Sequence, residues 1–578
     1  MSTPFYRATS ADPQGVRLRR RFGFAGARLT SYEDELLELG GRPGESQILL
    51  AEIERPRVGP MRDIVATIQP DQDEIVRAPI DVSICVQGAP GTGKTAVGLH
   101  RAAYLLYTYP DRLRQAGVLV IGPNRAFLGY IAAVLPALGE GGVQQQSITE
   151  LTASVSVLAE DPPDVAMLKG DARMAALLRK AVYGGIRKPT DSLAVSLAGR
   201  RYRVSEQSLR RHVDDLRRSE VRYSAGRERL TLAIAESVRR QKEAGGGSPT
   251  DVEMRRAARS DDVAAFVDKV WPAVNAEALL ASLLSTPQVL ARAARGVLSD
   301  GEQALLLRPR ATKSMRWSAA DAVLLDEVAG LLERMQSYGH IVLDEAQDLS
   351  PMQYRAVARR SSTGSITVLG DVAQGTAPWA STEWPTSLRH LDKPEAIVQP
   401  LTRGYRVPGE VLAFANRLLP HLGVDVEAVA SVRHGDHALA VRSVATMNDA
   451  AVHEAERLLG FDGSVGVICA DEAVPRLAEV LAAAGLEPHV LTDEAAGPRL
   501  SVLPASLAKG LEFDSVLVVE PAEIVAAEPR GLNRLYVVLT RAVSRLVVIH
   551  AEPLPPELTA RISRNSCTFV PIRTFEQA

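Results

Sequence analysis

Short apolar runs alternate with longer amphipathic stretches along much of the chain, and their order predicts the architecture. Apolar runs typical of buried strands occur at 82–86, 118–121, 340–343, 366–369, 465–468, 515–519 and 546–549. Helical spacing follows some of them, as in residues 96–106 after the first run. Strands that alternate with helices in this way form parallel sheets covered on both faces. We therefore expect an α/β protein with two parallel sheets.

Two regions depart from this alternation. Up to about residue 60, polar and apolar positions alternate between turn residues, which predicts short strands. Between about 150 and 335 the strand signals disappear, and Arg-rich amphipathic segments surround the flexible stretch Gly245-Gly246-Gly247-Ser248-Pro249. We interpret that region as a helical insertion. The predicted units are an N-terminal β-rich remnant at 1–60, a first α/β domain in two parts at 61–148 and 336–400, the insertion at 149–335, and a second α/β domain at 401–578.

Composition indicates an ordinary soluble protein of several domains. The chain has 578 residues, of which 46% are hydrophobic and 24% charged. Its formal net charge is only −2, so any surface for nucleic acid must be a local patch. The chain lacks an apolar run of membrane-spanning length, and its N-terminus does not resemble a signal peptide. We expect a cytoplasmic monomer.

The cysteines and histidines give no metal signal. Cys85 and Cys469 lie in strand-like runs, and with Cys567 they lack CxxC spacing, so buried reduced thiols are expected. His434 and His437 form the only close histidine pair, in a Gly/Asp loop without a partner cluster.

A glycine-rich loop supplies the strongest chemical signal. The segment Gly88-Ala89-Pro90-Gly91-Thr92-Gly93-Lys94-Thr95 fits the pattern G-x-x-x-x-G-K-[ST] between an apolar strand and a helix. In such a loop the backbone N–H groups turn toward phosphates at the start of the helix. Lys94 would meet the β and γ phosphates, and Thr95 would hold Mg²⁺. This pattern predicts a P-loop nucleotide hydrolase.

A matching acidic pair ends the strand at 340–343. Asp344 is the candidate for the magnesium shell, and Glu345 is suited to accept a proton from the attacking water. Asp326 and Glu327 form a second acidic pair after apolar residues, but their surroundings have helical periodicity. We therefore predict the metal site at Asp344.

The segment Asp344-Glu345-Ala346-Gln347-Asp348-Leu349-Ser350-Pro351-Met352-Gln353 resembles Walker B of superfamily 1 helicases of the UvrD/Rep type. Other family motifs follow in the same order: Gly370-Asp371-Val372-Ala373-Gln374 (motif III), Tyr405-Arg406 (motif IV), Lys509-Gly510-Leu511-Glu512-Phe513 (motif V) and Tyr536-Val537-Val538-Leu539-Thr540-Arg541-Ala542 (motif VI). The resemblance implies two RecA-like P-loop domains that bind ATP and Mg²⁺.

The resemblance also implies roles for individual residues. Gln72, in a Q-motif-like segment, would read adenine and so select ATP over GTP. Gln374 would sense the γ phosphate, Tyr405 would stack on adenine, and Glu512 would reach the ribose. Arg406 and Arg541 would be arginine fingers from the second domain, since a guanidinium is most useful where phosphoryl charge develops. The alternative for each arginine is a surface ion pair.

Within that family the sequence is most similar to the HelD branch. The similarity lies in Met61–Gln72, Gly117–Asn124 and Gln374–Trp379, and in the N-terminal segments Pro4–Thr9 and Asp12–Val16. Gram-positive HelD proteins bind RNA polymerase and use ATP to clear it from stalled or idle complexes. The expected function is therefore ATP-driven remodelling of RNA polymerase complexes, with single-stranded or duplex DNA as a further partner. The alternatives are a 3′→5′ DNA helicase or single-strand DNA translocase in repair, and an ATP-binding interaction protein with weak hydrolysis.

The sequence departs from the family in three places. Met1 falls after the point where the coiled-coil arm of HelD proteins would end, so we expect an armless or late-starting chain. Too few residues separate motifs IV and V for the duplex-gripping insertion of UvrD helicases. Gly404 stands where the family usually has Asn, and Pro504 and Ser506 stand where Thr and His are common. These changes bear on nucleic-acid coupling more than on phosphate chemistry.

Two groups of side chains are candidates for partner contact. The insertion contains the arginine clusters Arg200-Arg201-Tyr202-Arg203, Arg210-Arg211, Arg217-Arg218 and Arg239-Arg240. They could neutralise nucleic-acid phosphates. The interspersed acids Glu206, Asp214, Asp215, Glu220 and Glu228 favour a salt-bridged surface instead. Trp379 and Trp384, after motif III, either contact a base or the polymerase or belong to the interior.

Overall fold

The computed structural model describes residues 13–25, 28–36, 70–123, 128–129, 143–309, 315–361, 364–433, 435, 437–491 and 499–559. The HelD-like segment Pro4–Thr9, residues 61–69, His434 and Cys567 lie outside these ranges.

The strands are, in chain order, β1 (Leu18–Ala25), β2 (Arg28–Leu36), β3 (Ile84–Gly88), β4 (Val118–Gly122), β5 (Gln144–Ser147), β6 (Leu193–Leu197), β7 (Arg200–Val204), β8 (His340–Leu343), β9 (Ser365–Gly370), β10 (Ile397–Leu401), β11 (Arg403–Gly404), β12 (Ala430–Ser431), β13 (Leu439–Ser443), β14 (Val465–Cys469), β15 (His489–Val490), β16 (Leu500–Pro504), β17 (Phe513–Val519) and β18 (Ala542–His550).

The α-helices are α1 (Pro70–Arg77), α2 (Lys94–Thr108), α3 (Pro110–Ala116), α4 (Ile148–Thr152), α5 (Pro163–Gly170), α6 (Arg173–Tyr183), α7 (Glu206–Arg218), α8 (Tyr223–Ala244), α9 (Asp251–Ala258), α10 (Asp261–Val270), α11 (Ala276–Ser285), α12 (Pro287–Ala294), α13 (Asp300–Leu306), α14 (Ala319–Leu332), α15 (Pro351–Arg360), α16 (Trp384–His390), α17 (Gly409–Ala415), α18 (Met447–Leu459), α19 (Val474–Ala483), α20 (Pro521–Ala526), α21 (Gly531–Leu539) and α22 (Pro556–Thr559).

Two six-stranded sheets dominate the described residues. The first has the order β10-β3-β9-β8-β4-β5 and the second the order β13-β18-β17-β14-β16-β15. Every pairing within them is parallel. The predicted α/β class with two parallel sheets is confirmed.

Both faces of each sheet are covered, as near-continuous apolar strands require. In β4, Val118 and Val120 pack into one core while Leu119 and Ile121 pack into the core on the opposite face. The second sheet divides in the same way, with the side chains of β14 shared between two cores. Because parallel strands all end at one edge, this arrangement gathers the loops after β3, β8 and β9 at the carboxyl edge of the first sheet.

The N-terminal region contains a hairpin. Strands β1 and β2 pair in antiparallel fashion, and Arg20 forms an ion pair of 2.6 Å with Asp34. The predicted short strands are thus present in the described part of this region.

The insertion is mostly helical, with its own apolar core around Trp271, which is fully buried. The expectation that strands disappear between 150 and 335 is wrong at one place. Strands β6 and β7 form an antiparallel hairpin joined by Ala198 and Gly199, which have φ of 49° and 78°. A two-residue turn with both φ values positive fits the right-handed twist of a hairpin.

A buried ion cluster joins the insertion to the first sheet. Asp326 and Glu327 lie in helix α14, as their periodicity predicted, and are almost fully buried. Arg360 of helix α15 donates to Asp326 at 2.6 Å, and Arg355 pairs with Glu327 at 2.7 Å. Arg359 contacts both carboxylates. Helix α15 begins just after the segment 344–350, so the insertion is anchored beside the predicted metal site.

The strand cysteines are interior, as predicted. Cys85 and Cys469 are free, buried thiols. Burial raises the pKa of Cys469 to about 12. Among the described residues no helix is long and apolar enough to cross a bilayer.

Candidate functional site

The glycine-rich loop connects the end of β3 to the start of α2. Gly91 and Gly93 have φ of 76° and 83°, in the left-handed region that favours glycine. A Cβ at Gly88 would come within 2.4 Å of the Thr92 hydroxyl, so that position has room only for glycine. The loop therefore keeps a compact backbone at the N-terminus of α2, an arrangement that is suited to bind an anion.

Lys94 and Thr95, the first residues of α2, point toward the loop and the acidic pair. The Lys94 ammonium donates to the carbonyl oxygen of Gly88 at 2.6 Å. The Thr95 hydroxyl donates to Asp344 Oδ2 at 2.6 Å. A hydroxyl beside a carboxylate suits Mg²⁺, which commonly takes one or two protein ligands and completes its shell with phosphates and water. Within the described ranges, no cluster of three or more His, Cys, Asp or Glu side chains could hold a metal alone.

The acidic pair follows the carboxyl end of β8, and the pKa values of its two carboxyl groups shift in opposite directions. Asp344 is buried, and burial together with the charge of Glu345 raises its pKa to about 6. Burial also acts to raise the pKa of Glu345, but the positive charges of Lys509, Lys94 and Arg541 outweigh it and lower that pKa to about 2. Glu345 has φ of 50°, a strained value for a residue with a side chain. Two adjacent carboxylates with opposite pKa shifts are suited to different tasks.

Gln374 and Arg541 bring the two sheets together. Gln374 lies in a short turn after β9, where its amide nitrogen donates to Asp371 at 2.9 Å. Its amide oxygen accepts from Arg541 Nη2 at 3.0 Å, and Arg541 precedes β18 of the second sheet. Arg541 is buried, and burial lowers its pKa. Its position beside Gln374 disfavours the alternative of a surface ion pair.

Lys509 is a site residue that the motif reading did not assign. It belongs to the second-sheet segment 509–513, yet its ammonium donates to the Gln374 carbonyl oxygen at 3.0 Å and pairs with Asp348. It also lies 3.4 Å from Glu345 Oε2. The signal in the sequence is that Lys509 begins the motif V segment that contains Glu512. The partners of Lys509 near the first sheet are visible only in three dimensions.

The segment around Arg406 contacts the glycine-rich loop through its backbone. The Tyr405 N–H donates to the Gly91 carbonyl oxygen at 2.9 Å, and a Cβ at Gly91 would lie 2.9 Å from the Cβ of Arg406. The Arg406 guanidinium pairs with Glu512. The structure therefore gathers Tyr405, Arg406 and Glu512 next to the loop, with the guanidinium held by Glu512.

Gln72 reaches the loop from helix α1. Its Nε2 donates to the Thr92 carbonyl oxygen at 2.9 Å, and the side chain is buried. Arg101 of helix α2, fully buried, fixes the end of α1 by donating to the carbonyl oxygens of Ile75 at 2.9 Å and Ala78 at 2.6 Å. Arg101 thus holds Gln72 against the loop, a role that the sequence pattern did not reveal.

The two tryptophans after motif III differ in environment. Trp384 is buried, and its indole N–H donates to Gln87 Oε1 at 2.7 Å, so it belongs to the interior. Trp379 is half-buried, and its indole N–H donates to the Asp348 carbonyl oxygen at 2.7 Å.

Comparison with known proteins adds a match at the N-terminus. Residues 1–47 match the family model described as DNA helicase IV HelD, N-terminal domain. One of the similar solved structures is the C-terminal domain of a possible DNA helicase from Lactobacillus plantarum WCFS1. It is 24% identical over 27% of this chain and 92% of that chain, with a TM-score of 0.22. No curated protein matches the chain. The N-terminal match relates the chain to a helicase family.

Proposed function

We propose that the chain is an ATP-dependent, UvrD-like helicase or translocase of HelD type, built on two RecA-like domains. It would hydrolyse ATP to remodel or release complexes of RNA polymerase with nucleic acid. The observation that carries the proposal is the contact of Arg541 with Gln374, 3.0 Å apart, beside the glycine-rich loop and Glu345. A site made from two sheets suits a motor, because hydrolysis then requires the two domains to close.

Nucleotide binding would use residues of the first sheet. The loop amides would hold the phosphates, and Lys94 would exchange the Gly88 carbonyl oxygen for the β and γ phosphates. Thr95 and Asp344 would hold Mg²⁺, which neutralises phosphate charge when bound. Gln72, which lies against Thr92 of the loop, would read the base of a nucleotide whose phosphates enter the loop.

Hydrolysis would use Glu345, Gln374 and Arg541. Glu345 stays ionised at neutral pH because Lys509, Lys94 and Arg541 lower its pKa, so it can accept a proton from the attacking water. Gln374 would orient the γ phosphate. Arg541 would neutralise the charge that develops on the transferred group, without reorganisation because its guanidinium is already held.

Domain closure would add Arg406. Its backbone already packs on Gly91, and its guanidinium pairs with Glu512. A nucleotide between the two would draw Arg406 toward phosphate and Glu512 toward ribose. If both side chains exchanged their mutual ion pair for contacts with the nucleotide, ATP binding would be coupled to movement of the second sheet.

The test is an ATPase assay with the full chain, run alone and with single-stranded DNA, duplex DNA or RNA polymerase. Lys94→Ala and Glu345→Gln should abolish ATP turnover. Lys393 donates to the Ser361 carbonyl oxygen, away from the loop, so the control variant Lys393→Ala should keep ATP turnover. If ATP turnover survives in both site variants, the proposed ATPase site is wrong. A pull-down of RNA polymerase with and without ATP tests the partner, and lack of binding at low salt would refute it.

A second candidate is a 3′→5′ DNA helicase or single-strand DNA translocase. The observation in its favour is the match of residues 1–47 to a family described as a DNA helicase. ATPase stimulation by single-stranded DNA but not by polymerase would select this candidate.

A further inference from the structure

The hairpin of the insertion and the helix after it concentrate positive charge. Residues 187–218 contain nine Lys or Arg and four Asp or Glu, a net charge of +5. The whole chain has a net charge of −2, so the remainder carries −7. A strongly basic segment thus lies in the insertion, outside the glycine-rich loop that would hold ATP.

The hairpin presents its arginines to solvent. Its inner face, with Val195 and Tyr202, is buried against helices α8, α9 and α10. On the outer face the cross-strand pairs are Ser196 with Arg201 and Ala194 with Arg203, and all four residues are exposed. Each outer arginine therefore has a small neighbour, which leaves room for a polymer backbone to approach.

The following helix extends this surface. Arg203 donates to the Ser192 hydroxyl at 2.8 Å, and Arg210 of α7 donates to the Pro189 carbonyl oxygen at 2.8 Å. Both arginines thus reach residues 189–192, directly after Lys188, which is exposed. Arg211 follows Arg210 in α7 and is exposed. We call Lys188, Arg201, Arg203, Arg210 and Arg211 the basic surface.

Internal salt bridges do not account for the basic surface. Arg210 pairs with Glu206 at 2.6 Å, but this is an exposed pair one helical turn apart and is weak in water. Among the described residues, Arg201 and Arg211 form no salt bridge, and the Arg203 guanidinium donates to the Ser192 hydroxyl rather than to a carboxylate. The salt-bridged surface favoured by the sequence spacing is realised farther along, at Arg218 with Asp215 and Arg239 with Glu236.

We infer that the basic surface binds the sugar-phosphate backbone of a nucleic acid. The chemistry favours phosphate over an acidic protein, because protein interfaces rely on aromatic or aliphatic anchors and the outer face of the hairpin offers Ala194 and Ser196. Phosphate contacts by exposed arginines give binding that is independent of sequence and sensitive to salt. The inference rests on the proposed function in one respect, because that function makes a nucleic acid the expected polymer partner.

The test is binding of fluorescent single-stranded and duplex oligonucleotides by the full chain without nucleotide, between 50 and 200 mM salt. The variant Arg201→Ala/Arg203→Ala/Arg211→Ala should bind about 10- to 100-fold more weakly at 50 mM salt. The slope of log K against log salt should become shallower by about two to three units, or roughly 0.7 to 0.9 per lost phosphate contact. Comparison of the DNA and RNA forms of each oligonucleotide identifies the polymer.

The matched control removes the same charge elsewhere in the insertion. Arg292, Arg295 and Arg334 are exposed and form no salt bridge within the described ranges, so Arg292→Ala/Arg295→Ala/Arg334→Ala should keep wild-type affinity and slope. Equal affinity of both variants would overturn the inference. Loss of RNA polymerase binding with unchanged oligonucleotide binding would also overturn it, because the surface would then serve a protein. ATPase activity without nucleic acid should be the same in both variants, so failure of the proposed ATPase would appear separately.

Discussion

Arg541→Ala should slow ATP hydrolysis much more than it weakens ATP binding. Arg541 is buried, with its guanidinium fixed by bonds of 2.9 Å to the Val537 carbonyl oxygen and 3.0 Å to Gln374. A guanidinium held this way is prepared for the charge of the transition state and contributes little to ground-state binding. The loss should therefore appear in kcat, with KM for ATP nearly unchanged.

The expected size follows from the role. An arginine finger contributes about 10³ to 10⁵ in kcat, or roughly 4 to 7 kcal/mol of barrier. For Arg541→Ala we expect a loss of kcat near the lower end of this range. Lys94 and Lys509 also lie close enough to lower the pKa of Glu345, and both positive charges would remain in the variant. We expect about a 10³-fold loss in single-turnover hydrolysis. Arg541→Lys should recover only part of it, because an ammonium lacks the planar fork that meets Gln374.

Arg530 provides the matched control. It also reaches across the two sheets, donating to the Gly375 carbonyl oxygen at 3.1 Å and to Ala380. The charges that lower the pKa of Glu345 are instead those of Lys509, Lys94 and Arg541. Arg530→Ala should loosen the interface and lower kcat by no more than about tenfold. If Arg541→Ala and Arg530→Ala have equal effects, Arg541 acts only as an interface contact and the finger role is wrong.

Two further predictions test other parts of the site, and a third tests the buried ion cluster beside it. Gln72→Ala should raise KM for ATP by about 10- to 100-fold and leave KM for GTP unchanged, because a lost buried hydrogen bond costs about 1–3 kcal/mol; parallel assays with both nucleotides measure this. Asp344→Asn should abolish hydrolysis yet raise the Tm of the nucleotide-free protein at pH 7.5. The raised pKa of Asp344 means that its charge destabilises the fold above pH 6, so the gain in Tm should shrink between pH 6 and 4. Asp326→Asn should lower stability by about 3–5 kcal/mol by leaving Arg360 buried with its charge uncompensated, as calorimetry would show, whereas Asp326→Leu with Arg360→Met should recover most of the loss.

The sequence identified the parts of the site that are continuous in the chain. The loop at 88–95 and the acids at 344–345 each follow a buried strand, so strand periodicity and residue type together were enough to locate them. The same strand rule led to the two parallel sheets. What the sequence could not supply was the pairing between distant segments, such as Lys509 with Asp348 or Arg101 with the end of α1. Those contacts depend on how the elements pack, which periodicity does not encode.

The β6–β7 hairpin could not be predicted for a related reason, and its arginines bear on function. Its turn, Ala198-Gly199, lacks the Asn-Gly or Asp-Gly signal that marks a tight hairpin, and its strand Arg200–Val204 is mostly arginine. Arginine favours helix by intrinsic propensity, so local pattern argued against a strand. Leu193, Val195, Leu197, Tyr202 and Val204 face the core, and that burial overrides the propensity. The arginines on the other face contribute little to the fold, which is the reason we assign them to a partner outside the chain.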